Sequence, residues 1–194
     1  MTADLDVPGL LRGALRAPVA APAGPPLLDR AGIEALLPHR GLALLLDTVL
    51  HLEADPPTIV AEYDLASASP VLAGHFPGRP VWPGLLQAEA IGQAGLLAAR
   101  ARAGGRAEGA LTDVLAARFV RPIEPPGRVR IAARVLADGL FEVVVGQCTF
   151  AGRVCSAAVL RGLSAESPLK EDDDETGDVR GGEGEDPRDR RRDG

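Results

Sequence analysis

The chain reads as an α+β protein in which a largely antiparallel sheet wraps around one long, central apolar helix. Three observations predict this. The segment from Gly84 to about Ala103 is apolar almost all the way round, and such a helix belongs inside a protein. Six strand candidates surround it, two before the helix and four after it. One long helix cannot be the crossover that every parallel pair would need, so most neighbouring strands must run antiparallel.

Taken in order, residues 1–28 are rich in Ala, Pro and Gly, with Pro-Ala-Gly-Pro-Pro at 22–26. They read as a flexible arm with one short helix near Leu10 to Leu15. The folded domain is expected over 29–164. It opens with a short helix from Asp29 to Leu36, capped by Asp29 and stopped before Pro38. Leu42 to Leu52 reads as a long strand interrupted by Asp47, and Thr58 to Tyr63, β-branched in part, as a second. A stiff loop rich in Pro and Gly follows, and then the apolar helix, ended by Gly104-Gly105.

The four later strands are expected at Ala110 to Val120, Arg128 to Leu136, Leu140 to Thr149 and Arg153 to Gly162. Turn signals separate them at Pro125-Pro126-Gly127, Asp138-Gly139 and Ala151-Gly152. In the second of these strands Arg128, Arg130 and Arg134 alternate with Val129, Ile131 and Val135, giving one wet face and one dry face. Cys148 and Cys155 flank the last turn and are expected to face each other as packed thiols.

Of 27 acidic and 21 basic residues, 12 and 6 lie beyond Ser164, which leaves 15 of each in residues 1–164. The folded part is therefore neutral, which argues against a nucleic-acid partner. Residues 165–194 hold Glu171-Asp-Asp-Asp-Glu175 and Arg188 to Arg192 and almost nothing that could fill a core, so they read as a disordered acidic and Arg-rich tail. The longest apolar runs are too short to cross a membrane. Asp4, Asp6, Arg12 and Arg16 do not fit a secretory signal, so a cytoplasmic protein is expected.

Chemistry concentrates at one place. His75 stands at the start of the Pro/Gly loop, and Glu89 is the lone carboxylate among the apolar residues of the helix that follows. An imidazole and a carboxyl group are the pair that proton transfer needs. Glu89 and Gln93 are one turn apart and share a face, so the amide could hold the carboxyl group in one orientation. Burial would favour the protonated acid. His39 and His51 lack such a setting and read as structural and surface residues. No spacing of Cys and His suggests zinc, no Gly-x-Gly-x-x-Gly opens a helix and no Gly-x-Ser-x-Gly is present.

Three motifs occur in order: Leu36-Leu-Pro-His-Arg40 with Leu44-Leu-Leu-Asp47; Gly74-His-Phe-Pro-Gly-Arg-Pro-Val-Trp-Pro-Gly84 with Glu89-Ala90 and Gln93; and Ala117-Arg-Phe-Val-Arg-Pro122. From about Ile33 to Gly162 the chain resembles the (3R)-hydroxyacyl-acyl carrier protein dehydratases of the FabZ type. The resemblance implies the hot-dog fold, a homodimer or dimer-based oligomer with sheets joined edge to edge, and active-site tunnels between subunits. His75 of one subunit would then meet Glu89 of the other. The related FabA-type enzymes, which also isomerise the double bond, usually carry aspartate at this position, so Glu89 points to a plain dehydratase. Two departures stand out: Gly41-Leu42-Ala43 replaces an aromatic residue and a proline, and Gln87-Ala88 replaces two aliphatic residues.

Dehydration of a 3-hydroxyacyl thioester needs a base at C2, an acid for the hydroxyl and a donor for the thioester oxygen. His75 is the expected base and Glu89 the acid, while the Gly84 N–H at the helix start is the oxyanion donor. Phe76, Val81, Trp82, Leu85 and Leu86 are candidates for an acyl tunnel. Arg118, Arg121 and Arg128 are candidates for contact with an acyl carrier protein. No metal or organic cofactor is required. A hot-dog acyl thioesterase and a non-catalytic subunit of a hot-dog heterodimer remain as alternatives.

Overall fold

The computed structural model describes residues 5–103, 107–138 and 141–166. The 165–194 tail therefore lies outside the described residues beyond Glu166. Helix α1 (Val7–Ala14) leads into α2 (Arg30–Leu36), strands β1 (Thr48–Ala54) and β2 (Pro57–Asp64), and the short helix α3 (Ser69–Gly74). The long helix α4 (Gly84–Ala103) follows, then β3 (Ala107–Phe119), β4 (Arg128–Asp138), β5 (Phe141–Phe150) and β6 (Arg153–Glu166). The strands form one sheet in the order β1-β2-β4-β5-β6-β3, and every pairing is antiparallel.

Helix α4 packs against all six strands. Ala90, Ile91, Ala94, Leu97 and Ala98 are fully buried. The two helix glycines differ. A Cβ at Gly95 would lie 2.4 Å from both γ-carbons of Val144, whereas one at Gly92 would find Leu160 at 3.5 Å. Only Gly95 is demanded by close approach of the sheet. On β4 the alternation holds at its ends: Val129, Ile131 and Val135 are buried and Arg128 and Arg134 are exposed. Together with the all-antiparallel order, this is the expected hot-dog arrangement.

Three expectations need correction, and one segment holds structure for which the sequence predicts no element. The arm is docked rather than free over α1, whose N-cap Asp6 accepts from the Gly9 N–H at 2.9 Å. Leu11 joins Val143, Val145, Ala157 and Val159 in a second apolar cluster, with Leu10, Ala14 and Leu15 packed against it. The buried Gln147 ties the arm down. Its amide donates to the carbonyls of Ala14 (2.7 Å) and Ala17 (3.0 Å) and accepts from Val19 N–H (3.1 Å).

The strand expected from Leu42 starts only at Thr48, after a 3₁₀ turn at Gly41–Ala43. Leu44, Leu45 and Leu46 are all buried, a pattern that a strand with one wet face cannot produce. The segment from Leu65 to Gly74, which carries no helix signal in sequence, forms a 3₁₀ turn and α3. Finally, Cys148 pairs across the hairpin with Ser156 and not with Cys155, because the register shifts between Cys148 and Thr149. Both cysteines are free thiols, and burial pushes the Cys148 thiol up to about 12.

Candidate active site

The loop from His75 to Pro83 is closed on itself. Phe76 and Arg79 exchange backbone hydrogen bonds at 3.2 and 3.0 Å, and Gly78 between them has φ +79°, a conformation that costs glycine nothing. Val81 N–H donates to the His75 carbonyl at 2.7 Å. In return, His75 Nδ1 lies 2.7 Å from the Val81 carbonyl. A carbonyl only accepts, so Nδ1 carries the proton, and in the neutral ring Nε2 keeps its lone pair. The Phe76 ring stacks on the imidazole, with centroids 4.1 Å apart.

The loop ends where α4 begins. Leu86 and Gln87 N–H both bond to the Pro83 carbonyl at 3.1 and 3.2 Å. Gly84 and Leu85 precede them at the helix start, where N–H groups lack intrahelical acceptors. A Cβ at Gly84 would meet the Phe119 ring at 3.1 Å, so glycine lets β3 lie close over this helix end. His75, Val81, Trp82, Gly84, Gln87 and Phe119 are among the residues around a cavity of about 220 Å³.

Glu89 stands on another face of α4. Its Oε1 accepts from Gln93 Nε2 at 2.9 Å. Gln93 is itself buried, accepting from Leu45 N–H at 2.9 Å and donating to the Ala43 carbonyl at 2.8 Å. One amide thus fixes both the carboxylate and the segment before β1. The Glu89 side chain is 42% exposed in the protomer, contrary to the buried position expected. Glu89 borders a separate cavity of about 170 Å³ with His39, Gln93, Leu96, Leu111 and Leu160. His39 Nε2 lies 3.7 Å from Glu89 Oε1. In sequence this histidine reads as structural, although it stands in the Leu36-Leu-Pro-His-Arg40 motif just ahead of the segment that Gln93 holds.

Within one protomer, then, His75 and Glu89 line different cavities. The tunnel candidates also separate. Val81 and Trp82 both border the His75 cavity, with Trp82 itself fully buried and its ring stacked on Tyr63 with centroids 5.6 Å apart. Leu86 packs on the main core, whereas Leu85 and Phe76 are exposed. Of the three candidate carrier contacts, Arg121 borders the His75 cavity and donates to the Val154 carbonyl at 2.7 Å. Arg128 lies 3.7 Å from Glu62, and Arg118 is exposed on β3. Among the described residues, no group of three His, Cys, Asp or Glu side chains is arranged to hold a metal ion, and no helix is long and apolar enough to cross a membrane.

Comparison with known proteins agrees with this architecture. The chain is 39% identical over 146 residues to a 3-hydroxyacyl-[acyl-carrier-protein] dehydratase FabZ from Anaeromyxobacter sp. (strain K), covering 73% of this chain and 93% of that protein. It is 31% identical over 145 residues to a FabZ from Campylobacter concisus (strain 13826), covering 71% and 97%. In fold it is similar to the dehydratase heterocomplex ApeI:P from Xenorhabdus doucetiae, with TM-score 0.53 at 19% identity over 74% of this chain and 93% of that one. It is also similar to Cj0977, a virulence protein from Campylobacter jejuni, with TM-score 0.55 at 10% identity over 72% and 92%. Residues 37–153 match the FabA-like domain, and that stretch carries His39, the His75 loop, Glu89 and Gln93; the chain belongs to the FabA-like dehydratase family.

Proposed function

We propose that this protein removes water from (3R)-hydroxyacyl thioesters carried on acyl carrier protein, giving trans-2-enoyl thioesters. His75 Nε2 takes a proton from C2. The thioester oxygen, gaining negative charge, is received by the N–H groups at the start of α4, helped by the positive end of the helix dipole. The C3–O bond then breaks as Glu89 of the partner subunit protonates the leaving hydroxyl, C2 and C3 become doubly bonded, and water departs. His75 is left protonated and Glu89 ionised, and proton exchange with solvent resets both.

One observation carries the shared site: β3 borders both cavities at its opposite ends. Phe119 lies over the His75 cavity, and Gly109, Ala110 and Leu111 line the Glu89 cavity. Strand β3 also closes one edge of the sheet, and Leu111, Val114 and Phe119 on it are about half exposed. A long edge strand with exposed apolar side chains invites pairing. Antiparallel pairing of β3 with its copy about its middle sets the 119 end of one strand against the 110 end of the other. That arrangement would bring His75 of one protomer towards Glu89 of its partner, and two such sites would form per dimer.

The test is turnover. Purified protein is given 3-hydroxyacyl chains of several lengths on carrier protein, and enoyl product and free thiol are measured together. Enoyl product without thiol release supports the proposal. Thiol release without enoyl product would identify a thioesterase instead, and no turnover until a second hot-dog chain is added would identify a supporting subunit.

A further inference from the structure

Gln87 is buried in the first turns of α4, 3% exposed, where an aliphatic side chain would fill the space at less cost. Its Nε2 donates to the Trp82 carbonyl at 3.0 Å, so the orientation of the amide is set by a group that can only accept. Its Oε1 is buried and has no hydrogen-bond partner among the described residues. A half-satisfied buried amide destabilises a fold. A polar residue kept in such a place needs a return elsewhere.

The return lies in what Gln87 holds. The peptide joining Val81 to Trp82 carries the carbonyl that bonds His75 Nδ1 at 2.7 Å. The N–H of that same peptide donates to the Ile123 carbonyl at 2.8 Å. The next carbonyl along, that of Trp82, is the one Gln87 takes. Pro83 follows Trp82 and offers no N–H, so this stretch has no regular ladder to stiffen it. Ile123 and Gln87 grip it on either side, and the Trp82 ring is wedged against Tyr63. The residue thus touches the far end of the unit that decides which ring nitrogen of His75 is free.

We propose that Gln87 is a positioning residue for His75: by anchoring the Trp82 carbonyl it keeps the Val81 carbonyl on Nδ1, so that Nε2 faces the cavity as the base. The geometric part stands on the hydrogen bonds alone; its kinetic consequence rests on the dehydratase reading. With Gln87 replaced, the Trp82 carbonyl loses its donor, the Val81–Trp82 peptide is freer to turn, and the imidazole samples both tautomers.

The experiment uses full-length protein carrying ¹⁵N-labelled histidine. The chain has three histidines, and His75→Ala assigns the His75 signals. In the wild type, His75 should appear as the Nδ1–H tautomer with a slowly exchanging ring proton. In Gln87→Met that proton should exchange faster, with the ring shifts moving towards a tautomer mixture. The kcat on a 3-hydroxyacyl thioester should fall about tenfold, as loss of one buried hydrogen bond implies, with KM little changed.

Leu97→Ala, a core change remote from the loop, controls for lost stability; it should lower the melting temperature without moving the tautomer signal. If Gln87→Met does not fold, Gln87→Asn, too short to reach the same carbonyl, takes its place. An unchanged His75 tautomer in the folded Gln87 variant would overturn the proposal. So would a change no larger than that of Leu97→Ala. A wild type without dehydratase activity would sink the functional reading, while the tautomer measurement would still decide the role of Gln87.

Discussion

Two glycines three residues apart on α4 should respond to alanine in opposite directions. Alanine is favoured over glycine in a helix by about 1 kcal/mol, so propensity alone predicts that both substitutions stabilise. At Gly92 the new methyl would meet Leu160 Cδ1 at 3.5 Å, an ordinary contact, and the propensity gain should survive. At Gly95 it would sit 2.4 Å from Val144 Cγ1 and 2.4 Å from Cγ2, more than 1 Å inside the usual carbon–carbon separation of about 3.5–4.0 Å.

Both γ-carbons block the site and the β-branched side chain is stiff about χ1, so no small rotation clears it. Overpacking costs about 1–3 kcal/mol. The clash lies at the upper end of that range, which leaves Gly95→Ala about 1–2 kcal/mol less stable after the propensity gain is subtracted. At about 2–4 °C per kcal/mol for a protein of this size, Gly92→Ala should melt higher by a few degrees and Gly95→Ala lower by about 2–8 °C. Melting is followed by circular dichroism at one fixed protein concentration, since association shifts the midpoint. Val144→Ala combined with Gly95→Ala should recover about 1 kcal/mol relative to the sum of the single changes. Equal shifts for the two glycines, or strict additivity with Val144→Ala, would refute the close helix–sheet approach on which the packing rests.

Other outcomes follow from the same geometry. His75→Ala should lower kcat by about 10²–10⁴-fold, as removal of a general base does, with an unchanged circular dichroism spectrum. Gln93→Leu strands the Leu45 N–H and Ala43 carbonyl, and should lower stability by about 1–3 kcal/mol and slow turnover. Gln147→Leu removes the three hydrogen bonds that hold the arm, and trypsin should then cut at Arg12 or Arg16 sooner than in the wild type. Cys148 should resist a thiol reagent at pH 8 until the protein unfolds, because burial pushes it up from 9.0 to about 12. The sign is that of a neutral group favoured by the fold: stability is full below pH 9 and declines above it, and Cys148→Ala should flatten that decline.

The helix and sheet were legible because their signals were one-dimensional. An all-round apolar helix has one place to go, and the Arg/Val alternation of β4 identifies its faces without any partner. Gln93 could be linked to Glu89 because helical spacing alone puts them together. The misreadings arose where tertiary contacts override local pattern. Leu44 to Leu46 look like a strand, but the Leu45 N–H is claimed by Gln93, forty-eight residues away. The arm looks mobile by composition, and only its distant partners, Gln147 and the apolar cluster around Val143 and Val159, reveal what it binds. A one-residue register shift after Cys148 moved its partner from the expected cysteine to Ser156. His39 stands in a motif, but no pattern along the chain links it to Glu89, since their proximity exists only once the segment before β1 is folded onto α4.

The central claim, that imidazole and carboxyl from two copies complete one site, is tested most directly by mixing two inactive variants. Purified His75→Ala and Glu89→Gln are combined under conditions of proven subunit exchange, and enoyl formation is measured against each variant alone. A mixed dimer would hold one site with both groups intact, so at equal mixing about a quarter of wild-type activity should return. Activity that stays at the level of the separate variants, despite exchange, would contradict the shared site.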